Sequence, residues 1–111
     1  DYYIRTKKRL SSFVPTDLEF LLRNLDIDNV ILTGTMTCAC VLSTAFDAAN
    51  LDFRVIVPRD ICGGYSAESE HSALQVISLH LGLVTDSTAL LEEYSAIKNI
   101  NVNEQIKKLQ Q

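Results

Sequence analysis

Apolar and polar residues along the 111-residue chain follow two alternating periods. Tyr2–Arg5 ("YYIR") reads as a short strand. In "PTDLEFLLRNL", residues 15–25, Leu18, Leu21, Leu22 and Leu25 recur at helical spacing, so this stretch predicts a helix. Thr16 is suited to its N-cap, and Glu19 three residues later completes a capping box. "NVILTG", residues 29–34, is a continuous apolar run closed by Gly34, the pattern of a strand buried on both faces. Residues 40–50, "CVLSTAFDAAN", predict a helix whose small side chains let it approach a sheet closely. "FRVIVPRD", residues 53–60, predicts a third strand with Pro58 marking its end. After a "CGGY" loop, Ser66 opens a long helix through His80, with Ala73, Leu74, Val76, Ile77 and Leu81 on its apolar side and Gly82 as its stop. Residues 83–85 predict a last short strand and 87–96 a last short helix.

The order is β-α-β-α-β-α-β-α. Strands separated by helices pair in parallel through right-handed crossovers, so the expected class is α/β, with helices on both faces of a parallel, Rossmann-like sheet in three α/β/α layers. The expected domain covers residues 1–97. Residues 98–111 are more polar, with Ile100, Val102, Ile106 and Leu109 spaced along them, and read as an extension that docks on a neighbouring subunit or frays.

Composition narrows the function. Apolar residues make up 47%, enough for a packed core. The net charge of −4 argues against nucleic-acid or anionic-membrane partners, which need a clustered basic surface. No apolar run approaches the roughly 20 residues of a membrane span. Three cysteines, an odd and sparse count, fit a reducing, cytoplasmic setting better than a disulfide framework.

In a parallel α/β sheet, sites form beyond the carboxyl ends of the strands. That edge collects Lys7, residues 35–40, and Asp60 with Cys62. Cys40 falls in the first turn of a predicted helix, where unpaired N–H groups and the positive end of the dipole favour thiolate over thiol and can hold an oxyanion. A lysine nearby strengthens the case for a nucleophile. Spacing alone favours a buried, unreactive cysteine. A thiolate metal site from Cys38, Cys40 and Cys62 is disfavoured, because C-x-C alone lacks the usual four-ligand spacing. Cys38, Asp60 and Tyr65 are the remaining candidates for a pocket wall, with Asp60 also suited to capping the turn that follows it. His71 reads as a solvated helix position, His80 as a favourable partner for the dipole at its helix's C-terminal end, and Phe46 as core.

Two motifs add a resemblance. Lys7, Ser11, Phe13, Thr16 and Leu18 form the first, and Gly34, Thr37, Cys40, Val41, Thr44, Ala45, Asp47 and Ala48 the second, without a gap. Over about residues 1–91 the chain resembles the isochorismatase-like cysteine hydrolases, which include nicotinamidases, N-carbamoylsarcosine amidohydrolases and ureidoacrylate hydrolases. The resemblance implies an Asp-Lys-Cys triad with Cys40 as nucleophile and Lys7 as its lysine. It implies a cis peptide between Thr35 and Met36, with the backbone N–H groups of Met36 and Cys40 as the oxyanion hole. The implied substrate is a small amide, carbamoyl or ureido compound. No cofactor is assigned, since the metal motif of the nicotinamidases, Asp-x-His, lies in a region without a counterpart here.

One departure matters. The triad Asp belongs to the family's first strand, and "DYYIRTKK" begins about where the family has reached its lysine. The expectation is the C-terminal part of the domain, lacking the N-terminal strands. Three sources for the base stay open: a complementary N-terminal polypeptide, none because the chain is a non-catalytic structural subunit, or Asp60. A sheet without its neighbouring strand exposes an edge, so a bound partner segment and an oligomer are expected.

Overall fold

Three parallel strands carry the architecture, and the computed structural model describes the backbone of residues 1–110 and the side chains of these except 100–103 and 105. The elements, in chain order, are α1 (Leu18–Asn24), β1 (Asn29–Ile31), β2 (Gly34–Thr35), a π-helical turn (Thr37–Val41) leading into α2 (Leu42–Asn50), and β3 (Arg54–Pro58). A 3-10 turn (Arg59–Ile61), β4 (Cys62–Gly63), α3 (Ala67–Val76), a second π-helical turn (Ile77–Leu81), β5 (Gly82–Thr85) and α4 (Ser87–Leu109) follow. The main sheet has the order β1-β3-β5, and β2 and β4 form a separate parallel pair beyond its carboxyl edge. The α/β class stands, with helices against both faces of the sheet.

Alternation along the strands sorts their side chains. Val30, Val55 and Val57 are buried and join Phe13, Val41, Ala45, Ala48, Phe53 and Ile77 in one core. The small residues Ala45 and Ala48, both at 0% exposure, bring α2 tight against this face, as the composition of that stretch predicts. The other face is different. Ile31, Ile56 and Leu83 are cross-strand neighbours in register and line a groove of about 780 Å³ with Leu90, Leu91, Tyr94 and Ile97 of α4. Ile31 and Leu83 remain half exposed there.

Several expectations are corrected. Residues 2–5 form no strand, and Tyr2 and Tyr3 lie exposed, because a segment this short holds a strand conformation only with a ladder partner. The main sheet therefore has three strands among the described residues, not four. The capping box at Thr16 and Glu19 does not form: α1 begins at Leu18, whose N–H donates to Thr16 Oγ1 (3.2 Å), while that hydroxyl donates to the Ser12 carbonyl. Ser66 does cap α3, in a reciprocal box with Ser69. The last helix does not stop near residue 96 but continues to Leu109, through the expected boundary at 97. Ile106 and Leu109 are exposed on it, whereas the side chains of Ile100 and Val102 lie outside the described residues. Phe46 is 41% exposed rather than core.

Gly82 follows the second π-helical turn, as expected, but not as a left-handed cap. Its φ is 178°, ordinary extended backbone, and it opens β5 opposite Val55. A Cβ there would lie 2.1 Å from the Val55 carbonyl oxygen. Close strand approach, not turn conformation, requires glycine.

Candidate active site

The helical run that starts at Thr37 presents Cys40 at the carboxyl edge of the sheet. Its first turn is π-helical: the N–H groups of Ala39 and Val41 both donate to the Met36 carbonyl (3.0 and 3.1 Å). The peptide between Thr35 and Met36 is cis. Thr37 anchors the start of this turn. It is fully buried, and its hydroxyl lies 3.4 Å from Glu70 Oε1 of α3. Gly34, with φ +109°, makes the reversal that leads the chain from β1 into this segment.

Lys7 comes from the irregular N-terminal segment. Its Nζ lies 3.7 Å from Cys40 Sγ and donates to the Arg9 carbonyl at 2.7 Å. The segment is held farther along. The Ser12 N–H donates to Thr44 Oγ1 (3.0 Å), the Phe13 N–H donates to Ser11 Oγ (3.1 Å), and the Phe13 ring stacks on Phe53 with centroids 5.9 Å apart. Thr44 stands one helical turn beyond Cys40, so one side of the helical run carries both the sulfur and the anchor for the segment bearing the ammonium.

A cavity of about 280 Å³ opens at this point. Lys7, Cys40 and the hydroxyl residues Ser12, Thr33, Thr35 and Thr44 supply its polar wall, and Ile31, Leu32 and Val41 its apolar wall. This is enough room for a small polar molecule, with one ammonium, one thiol and several hydroxyls converging on it.

Of the other expected wall residues, Cys38, Asp60 and Tyr65 do not line this cavity. Tyr65 is 83% exposed. Asp60 is committed elsewhere: its carboxylate accepts from the Ser87 N–H (2.7 Å) and from the Ser87 hydroxyl, and these bonds hold its carboxyl below the usual carboxylate range. Beside it, Arg59 makes a two-pronged ion pair with Asp86, at 2.9 and 3.3 Å. Asp60 thus caps the start of α4, and among the described residues lining the cavity none is a carboxylate. The Cys62 thiol is pushed up from its ordinary value by partial burial, with the charges of Glu70 and Asp60 adding to this and a bond with the Gly34 backbone opposing it.

The isochorismatase domain family matches residues 1–89. This chain belongs to that family. Among its curated relatives, the uncharacterised isochorismatase family protein PncA of Bacillus subtilis is 38% identical over 80 residues, covering 72% of this chain and 44% of the relative. The N-carbamoylsarcosine amidase of Arthrobacter is 42% identical over 57 residues, 51% of this chain and 22% of that enzyme. A crystal structure of nicotinamidase PncA from Bacillus subtilis superposes with a TM-score of 0.71 at 33% identity, over 72% of this chain and 45% of that one. The isochorismatase-family segment thus spans less than half the length of these relatives.

Sequence reasoning placed Cys40 and Lys7 at one edge without fixing their distance. It did not single out Ser12, Thr33 or Glu70. Thr33 and Thr35 follow a buried strand at its carboxyl edge, and that position alone could have marked their hydroxyls as cavity wall. Nothing in the spacing marks Glu70, because its link to Thr37 depends on how α3 lies across the π-helical turn.

Proposed function

We propose that these residues form the nucleophile-bearing part of a cysteine hydrolase that cleaves a C–N bond in a small amide, carbamoyl or ureido compound. The observation that carries this reading is the 3.7 Å approach of Lys7 Nζ to Cys40 Sγ at the mouth of a small polar cavity. The fit of residues 1–89 to the isochorismatase family, and the amidase named among the relatives, support it.

The reaction begins with transfer of the thiol proton to a carboxylate. Lys7 stabilises the negative sulfur left behind. The sulfur adds to the substrate carbonyl carbon, and the electron pair of the C=O bond moves to oxygen, where the backbone N–H groups of Met36 and Cys40 receive it. Collapse of this adduct re-forms C=O and breaks the C–N bond, with the nitrogen leaving as it takes the proton from the carboxylic acid. The carboxylate then draws a proton from water, whose oxygen attacks the thioester and releases the acid product and the thiolate.

The carboxylate is an Asp from polypeptide outside these 111 residues. Two features support this. The cavity wall holds no carboxylate among the described residues, and the outer edge of β1 pairs with no other described strand. The part of an isochorismatase domain beyond this chain's match, more than half of each relative above, is the occupant we assign to that edge and to the Ile31–Ile56–Leu83 face. An oligomer in the cytoplasm, with the end of α4 docked on a neighbour, completes the reading.

Alkylation tests it. At pH 7, iodoacetamide is expected to modify Cys40 about tenfold faster than Cys38 or Cys62, and Lys7→Gln to remove most of that advantage. Equal, slow labelling of the three would instead favour a non-catalytic structural subunit that keeps the fold. Peptide mass spectrometry after timed quenching reads each site.

A further inference from the structure

The geometry points to Thr44 as the positioning residue that sets the distance between the Lys7 ammonium and the Cys40 sulfur. The inference rests on the Lys7–Cys40 pairing proposed above and adds what holds that pair together.

Residues 1–17 contain no helix or strand, so no ladder or helical repeat fixes where Lys7 lies. Among the described residues, its side-chain hydrogen bonds are the one to Cys40 and one to the Arg9 carbonyl, within the same segment. The bond to Arg9 folds the lysine back but does not tie the segment to the sheet. The nearest tie is at Ser12, five residues on. Its N–H donates to Thr44 Oγ1 at 3.0 Å, and the two hydroxyls lie 3.4 Å apart.

Thr44 is placed for this task. It is 5% exposed and sits four residues after Cys40 on the same helical run, so its position relative to the sulfur is fixed by the helix backbone. A bond from such a residue to the loop transmits that rigidity to the segment carrying the ammonium. Phe13 adds a second attachment, buried beside Phe53, but apolar packing fixes depth more than lateral position. The directional bond is the one at Thr44. Ser12 and Thr44 both also line the cavity, so loss of the bond would disturb the site where the pair acts.

The test reads proximity, not turnover. o-Phthalaldehyde condenses with a primary amine and a thiol held within a few ångströms to give a fluorescent isoindole, with loss of two water molecules. The unsubstituted protein is expected to form this product between Lys7 and Cys40, identified by peptide mass. Lys7→Gln and Cys40→Ser should abolish it. Thr44→Val, which keeps shape but removes the acceptor, should slow isoindole formation at least fivefold, and Thr44→Ser should restore it. Gly82→Ala, which strains the β3–β5 ladder at a residue that does not line the cavity, should leave the rate unchanged at a temperature where the protein remains folded. That comparison separates positioning from general loss of stability. Should Thr44→Val fail to fold by circular dichroism, Thr44→Ala carries the same expectation with a better helix former.

An unchanged rate in a folded Thr44→Val or Thr44→Ala protein overturns the positioning role while leaving the Lys7–Cys40 pairing standing. Absence of the isoindole in the unsubstituted protein overturns the pairing itself, and the role of Thr44 with it.

Discussion

Replacing Cys40 by serine is expected to reduce hydrolysis by the complete enzyme at least about 10³-fold, with little change in thermal stability. A serine hydroxyl fits the space of the thiol, and Cys40 is partly exposed at the cavity, so little packing is lost. What is lost is chemical. A thiol ionises readily enough for a neighbouring ammonium to matter, while a serine hydroxyl stays protonated unless a strong base removes its proton during attack. Lys7, lying 3.7 Å from the sulfur, supplies charge and no base. The comparison needs the complete protein, because the base proposed for it lies outside these residues. Steady-state kinetics on a panel of small amides and ureides, with melting temperatures measured in parallel, provides the check. Activity within tenfold of the unsubstituted enzyme would show that the sulfur takes no part.

Gly82→Ala is expected to lower stability by about 3 kcal/mol or more, and the melting temperature by more than about 10 °C. The added methyl would sit 2.1 Å from the Val55 carbonyl oxygen and 2.8 Å from the Val55 Cβ. These are backbone and near-backbone atoms of the central strand, so no rotamer change relieves the contact. Relief requires β5 to move off β3, breaking the ladder that joins Gly82–Thr85 to Val55–Pro58. Denaturant unfolding followed by circular dichroism measures the loss. A shift under 1 kcal/mol would mean that the two strands separate more easily than their register implies.

The contrast between these two positions shows what the sequence makes legible. Gly82 was visible as a stop after a helical pattern, but its reason was not, since a glycine that ends a helix and one that admits a neighbouring strand look alike in one dimension. The order of β1, α2, β3, α3 and β5 followed from periodicity, because each packs an apolar side against the same core, whereas the two-residue pair β2–β4 did not, and Cys62–Gly63 was expected to be loop. The N-terminal stretch did not. "YYIR" has strand-like residues, but strand formation depends on a partner, and no local pattern reports one. Thr16 and Glu19 have the right spacing for a capping box, yet the Thr16 hydroxyl is drawn to the Ser12 carbonyl four residues back. The α4 boundary was lost for a related reason: its second half is polar, and a change in composition reads as the end of an element when the helix simply leaves the core.

At the site, motif spacing carried Cys40 and Lys7, and the structure brings them together. It does not bring Asp60, Cys38 or Tyr65 into the cavity. Asp60 lay at the correct edge of the sheet, and what removes it is the N-terminus of α4, where Ser87 takes both of its oxygens. A carboxylate near a strand end has two common employments, chemistry and capping, and only the location of the next helix distinguishes them. The hydroxyl wall and the Ser12–Thr44 bond involve residues 32 positions apart, a separation that no local pattern encodes.

The central claim is that Cys40 carries the acyl group during turnover. Rapid-quench intact-mass spectrometry of the complete enzyme with a small amide tests it most directly. An added mass equal to the acyl portion is expected within the first turnover, located on the peptide containing Cys40 and released by hydroxylamine. Product formation that leaves this peptide unmodified from the first milliseconds to the steady state, and that persists in Cys40→Ser, would contradict it.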